Sequence, residues 1–146
     1  MKHPVLCLHQ PYAGLLVNGI KTIETRLNYR CNTLIGRHVA IHATKLPPII
    51  IPSYYCSEYI QKSEPCNIHG AIIGFVFFSG WRICEEKDQW KALIECETRR
   101  VGYFLGLPQL LKKPIVIPGK QCIPWYYDFN EEQLKGIDFR KPYELL

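Results

Sequence analysis

Lys21, Glu24 and Arg26 fall within one six-residue window, in the run GIKTIETR. A carboxylate set between two cations can hold them in place while their remaining donors face an anion. If residues 22–26 are extended, side chains alternate, so Thr22, Glu24 and Arg26 share one face and Ile23 and Thr25 the other. Glu24 then orients the cations. Arg26 would grip a phosphate through its planar fork, and Lys21 would act as a point charge. The competing reading is a solvated strand face with incidental ion pairs, which contribute little.

Other chemistry-bearing residues are scattered. His38 and His42 stand four apart and would share a strand face, but no third ligand accompanies them, so no metal is expected. His9, beside the start of a helix, either caps it or meets a phosphate. Arg99-Arg100 and Lys112-Lys113 read as solvated faces, Trp81 and Trp90 as core aromatics, and Trp125 as either core or a stacking surface. No cofactor is expected. The seven cysteines include no Cys-x-x-Cys pair, and several sit in apolar runs, so they read as small hydrophobes in a reducing compartment. That compartment is the cytoplasm, or the nucleus if the source is eukaryotic.

The elements that must position these residues follow from pattern. PVLCL (Pro4–Leu8) suits a buried strand, and Pro11 opens a helix of two to three turns with Tyr12, Leu15 and Leu16 at helical spacing before the stop at Gly19. Thr22–Arg26 is extended, residues 28–36 a loop, and GRHVAIHAT a strand. Three prolines break residues 45–52, and Ser53 N-caps a following helix in an insertion between strands. GAIIGFVFFSGWRI (Gly70–Ile83) has the β-branched, aromatic and glycine content of a central bent strand. Residues 84–96 form a polar connection with some helix, Thr98–Gly106 a strand, Leu107–Leu111 a turn of helix, Pro114–Pro118 and Ile123–Phe129 two strands, and Asn130–Gly136 a small helix.

Strands that do not alternate with helices point to an α+β class: a small β-barrel of five or six mainly antiparallel strands with two or three peripheral helices. The length of 146 residues suits a single domain spanning 1–146. No secretory signal is evident at the N-terminus, and the longest apolar runs fall short of the roughly 20 residues a membrane helix needs, so no membrane association is expected. Eighteen Lys and Arg against thirteen Asp and Glu leave a net charge of +5, compatible with an anionic partner without establishing one.

The run LHQPYAGLLVNGIKTIETR resembles the signature of the ASCH domain, Gly-x-Lys-x-x-Glu-x-Arg, with Gly19, Lys21, Glu24 and Arg26 filling its four positions. It is most similar to the ASCH domain of the eukaryotic activating signal cointegrator, which has a His-Gln-Pro-Trp opening before the same element. The likeness continues through RHVAIHATKLP, GAIIGFVFFSG and PIVIPGKQCIPWYYD, covering Pro4 to Asp128 with weak agreement between Pro47 and Asn67. It implies a PUA-like barrel with a basic cleft that binds RNA, single-stranded DNA or a nucleotide. The residues implied for that cleft are Gln10, Pro11, Tyr12, Gly19, Lys21, Glu24, Arg26 and Trp125. The helix start near Gln10 would offer backbone donors to a phosphate, Arg30 or Arg37 would add charge, and Tyr12 or Trp125 would stack a base.

Some ASCH proteins are instead amidohydrolases acting on N4-acetylcytidine through a threonine nucleophile, an activating lysine and a glutamate from a later strand. Their Lys-x-x-Thr is Lys21-x-x-Glu24 here, and Ala71–Ser79 holds no carboxylate. Lys21, Glu24 and Thr25 would be the catalytic candidates if this chain were such an enzyme. A third alternative is a protein-interaction adaptor using the tyrosines of residues 47–63.

Overall fold

The computed structural model describes residues 1–95 and 99–145. Cys96 and Thr98, assigned above to the free thiols and to the start of a strand, lie outside the described residues. Six strands, β1 (Lys2–Leu8), β2 (Ile23–Arg26), β3 (His38–Ala43), β4 (Ala71–Ile83), β5 (Val101–Val116) and β6 (Trp125–Asp128), form one sheet in the order β2-β5-β4-β3-β1-β6. Only β1 and β3 run parallel; the other neighbouring pairs are antiparallel. The sheet is not closed, because β2 and β6 are its edges. Three short α-helices accompany it among the described residues: α1 (Tyr12–Val17), α2 (Glu58–Gln61) and α3 (Gln89–Ala92).

Alternation along the central strands divides the interior in two. Leu6, Val39, Ile41, Ala71 and Ile73 point to one face, where Ala13, Leu16 and Val17 of α1 and Cys31 and Leu34 cover them. Val5, Ala40, Ile72 and Phe75 point to the other, covered by Phe129 with Leu134, Ile137 and Phe139 from the C-terminal segment. With both faces covered, β3 is buried throughout, which is why its alternation is only loose. A third cluster of Leu15, Ile51, Cys56, Cys66 and Leu93 joins the outer side of α1 to the 45–68 insertion and α3.

Four sequence expectations change. The helix in the insertion starts later, with Ser57 rather than Ser53 as N-cap: its side chain accepts from the Ile60 amide at 3.3 Å. The loop at 28–36 contains a 3₁₀ helix, Arg30–Leu34. Asn130–Gly136 makes turns instead of a helix, although Asn130 and Gln133 exchange side-chain and amide hydrogen bonds as a helix start would. Most consequentially, the strand, helical turn and strand expected from residue 98 to 118 are one continuous strand, β5. Its register against β4 runs Phe77↔Gly106 and then Phe75↔Gln109, so Leu107 and Pro108 form a bulge, with Leu107 at φ 48°. Proline lacks an amide donor and is tolerated at such an unpaired position.

Candidate functional site

The chain that carries Lys21 into the protein is set by the end of α1. Gly19 adopts φ +81°, a left-handed conformation open to glycine, and its amide donates to Leu16 O at 3.2 Å. The Lys21 amide then donates back to Leu15 O at 2.8 Å, so the chain reverses and the Lys21 side chain turns inward. It is 2% exposed. Its ammonium donates to Ala92 O at the end of α3, lies 3.8 Å from Glu24 Oε1, and sits 4.8 Å from the centre of the Tyr12 ring. The Tyr12 hydroxyl donates to Leu93 O at 3.2 Å, so Lys21 and Tyr12 both serve the carbonyls that α3 leaves open. Burial, and then the Glu24 charge, push the Tyr12 hydroxyl up to about 12, keeping it a donor at neutral pH.

β2 supplies the rest. Glu24 Oε2 lies 3.2 Å from Arg26 Nη2, so one buried carboxylate serves both cations. Arg26 Nε and Nη2 are buried and find no acceptor in hydrogen-bond geometry among the described residues; the contact with Glu24 is an ion pair only. Thr25 Oγ1 accepts from Arg100 Nε at 2.9 Å. Together these side chains line a cavity of about 410 Å³ whose other walls include Cys7, His9, Ile49 and Ile94. Three cations, Lys21, Arg26 and Arg100, face one carboxylate among its lining residues. The cavity can therefore take an anion, with Tyr12, Ile49 and Ile94 offering apolar contact beside it.

The expected site residues separate into two groups. Tyr12, Lys21, Glu24, Thr25 and Arg26 come together in the cavity, and Gly19 makes the turn that brings Lys21 there. Gln10, Pro11 and Trp125 do not line it. Gln10 is fully buried, its amide donating to Pro65 O at 2.6 Å and Ile68 O at 2.7 Å while its Oε1 accepts from the Gly14 amide at 2.9 Å. It clips the insertion to α1. Pro11 is buried at the start of α1, where the Ala13, Gly14 and Leu15 amides already donate to His9 O, Gln10 Oε1 and Pro11 O. Trp125 is 5% exposed in the second core, edge-on to His42.

Other residues also move from their sequence assignments. Arg37 is turned away onto Tyr126, donating to its hydroxyl at 2.9 Å, and Arg30 is exposed outside the cavity. Trp81 and Trp90 are 44% and 55% exposed and rest on Tyr29 and Tyr55 instead of in the core. Arg100, assigned to a solvated face, is a cavity residue. Its only precursor signal is its place just before β5, which pairs with β2 so that Arg26 stands opposite Val101. His38 and His42 are held by single carbonyls, Arg140 O at 3.0 Å and Ile117 O at 2.7 Å. Six cysteines are free thiols among the described residues, and no helix there is long and apolar enough to cross a membrane.

Comparison with known proteins agrees with the motif. The sequence matches the family described as the ASCH domain over residues 6–106. Two mutant forms of the ASCH protein from Zymomonas mobilis, solved as crystal structures, share the fold. One is 15% identical with a TM-score of 0.52, covering 90% of this chain and 90% of that one. The other is 16% identical with a TM-score of 0.51, covering 91% of this chain and 94% of that one. At such identity the likeness is one of fold alone.

Proposed function

Because the chain belongs to the ASCH domain family, we propose that its cavity between α1, β2 and α3 binds RNA, single-stranded DNA or a nucleotide, and that it does so without catalysis. The observation that carries this reading is Arg26. Its Nε is buried without a hydrogen-bond acceptor among the described residues, and its buried Nη2 has Glu24 Oε2 beside it at 3.2 Å as an ion pair only. A buried guanidinium donor left unmade is costly, and a phosphate oxygen is its natural complement. Glu24 pairs with the guanidinium, and Arg100 adds a further cation to the lining. Lys21 plays a different part from the one its position in the motif suggests: tied to Ala92 O and Glu24, it holds α3 against β2 and sets the electrostatic background.

Tyr12, with Ile49 and Ile94, supplies the apolar side against which a base can lie. The acetylcytidine hydrolase reading is weaker. Glu24 occupies the nucleophile position, and the Thr25 hydroxyl is engaged by Arg100 rather than by a base.

Labelled single-stranded oligonucleotides test the proposal. Binding is expected to weaken as salt rises and to fall on Arg26→Ala. Undiminished binding by that variant would overturn it.

A further inference from the structure

Three residues stand in register across three strands. Glu24 of β2 is paired with Tyr103 of β5, and Tyr103 with Trp81 of β4. Residues directly opposite one another share a face, so Glu24, Tyr103 and Trp81 form one row on the side of the sheet where Glu24 meets the cavity. Neighbouring strands lie about 4.8 Å apart, which puts Trp81 about 10 Å from Glu24 along that row. A nucleic-acid strand covers such a distance in about two to three nucleotide steps.

The row is covered in the middle and open at its far end. Tyr103 is fully buried, and its hydroxyl donates to Asn32 Oδ1 at 2.6 Å, which pins the 3₁₀ helix over it. Tyr29, at the N-terminal end of that helix, is 52% exposed and meets the exposed indole of Trp81 in a T-shaped contact, the ring centres 5.2 Å apart. The way from the cavity is short, because Leu27 and Asn28, the two residues before Tyr29, line it.

Both rings are therefore set before any ligand arrives, Trp81 by the pairing of β4 with β5 and Tyr29 by the helix that Asn32 anchors. A flat, rigid aromatic surface close to a cation-lined cavity is what a nucleobase stacks on, whatever its sequence. No cation takes part: Arg82, next along β4, points to the opposite face, over the Phe104 ring, where Glu85 and Asp88 hold it. Trp90, the other exposed tryptophan, rests on Tyr55 away from this row.

We propose that Trp81 and Tyr29 form a second stacking site, which takes a base about two to three positions along the strand from the one held beside Tyr12. The site presupposes the nucleic-acid reading of the cavity and adds to it that the ligand is a strand, running out over Leu27 and Asn28, and not a free nucleotide.

Fluorescence anisotropy with a labelled octanucleotide, as RNA and as DNA, and its displacement by unlabelled mononucleotides test the site. Trp81→Ala should weaken octanucleotide binding about 10-fold, the worth of one stacked base. Mononucleotide affinity and the slope of affinity against salt should stay unchanged, since no phosphate contact is lost. Trp81→Phe, which keeps a flat ring, should recover most of the loss, and Trp90→Ala should bind as the unaltered protein does.

Octanucleotide affinity that a folded Trp81→Ala protein keeps to within about twofold overturns the second site alone, as does an equal loss of mononucleotide affinity. Absence of octanucleotide binding by the unaltered protein overturns the reading of the cavity as well. Should Trp81→Ala fail to fold, tryptophan emission of the Trp90→Phe protein decides. Trp125 is buried, so quenching there by the octanucleotide and not by a mononucleotide, with protection from iodide, reports a base on Trp81. Emission unchanged at saturating octanucleotide overturns the site.

Discussion

Arg100 Nε donates to Thr25 Oγ1 at 2.9 Å, joining the entry to β5 to the middle of β2 across 75 residues of sequence. The bond uses a lone pair of the threonine hydroxyl and puts a cation among the residues that line the cavity. A motif read along β2 alone contains neither the partner nor the charge.

Arg100→Ala should therefore weaken oligonucleotide binding and make its salt dependence shallower by about one phosphate contact. Arg30→Ala, at an exposed site off the cavity, should leave both unchanged. Binding isotherms at several salt concentrations compare the two.

The buried charges should respond unequally to removal. Glu24→Gln strips the counter-charge from both Lys21 and Arg26 and should cost about 3 kcal/mol. Lys21→Met leaves Glu24 still paired with Arg26 and fills the same space with an apolar chain, so it should cost less. Urea unfolding of the two variants gives the order, and a Lys21→Met protein less stable than Glu24→Gln would contradict the arrangement.

Gln10 should matter to stability and not to charge recognition. Gln10→Ala removes two hydrogen bonds to the 65–68 segment and one from the Gly14 amide of α1 and should cost about 2–3 kcal/mol. The slope of affinity against salt should stay that of the unaltered protein. A reduced slope would place Gln10 in contact with the ligand.

His42 and His3 are both held below the ordinary imidazole range, His42 by burial and His3 by burial first and then by the neighbouring His38. The unfolded chain takes up protons at these residues at a higher pH than the folded one does. Their contribution to stability is thus complete above about pH 6.5, the unfolded value. It declines as pH falls through that value toward the lower folded ones. Thermal melting between pH 8 and 5 should show this loss, and His42→Phe should flatten part of the slope.

Incubation at high protein concentration with N4-acetylcytidine should release no cytidine. Turnover abolished by Thr25→Val would instead make the threonine a nucleophile and require that Arg100 let go of it.

Much of the fold was legible because it rests on local physics. Hydrophobic periodicity marked β1, α1 and β4, and Gly19 marked the helix end, since few other residues take its φ without strain. The motif likewise grouped Lys21, Glu24 and Arg26 correctly, because alternation along an extended segment puts the last two on one face. Pro108 misled for an equally local reason: proline signals a break, and only pairing with β4 shows that the break is a bulge inside a continuous strand.

What the sequence by itself determined is the set of charged residues at one bend and the class of fold around them. The tertiary structure decided which of them is spent and which is left to act. Lys21 meets Ala92, Thr25 meets Arg100, and His42 meets Ile117 through contacts spanning 71 to 75 residues. Burial and the geometry of those partners, rather than residue type, set which donors and acceptors remain unpaired. A buried polar group that has found its partner in the chain is held by it, and Arg26 Nε, which has found none among the described residues, is the donor the proposed ligand would meet.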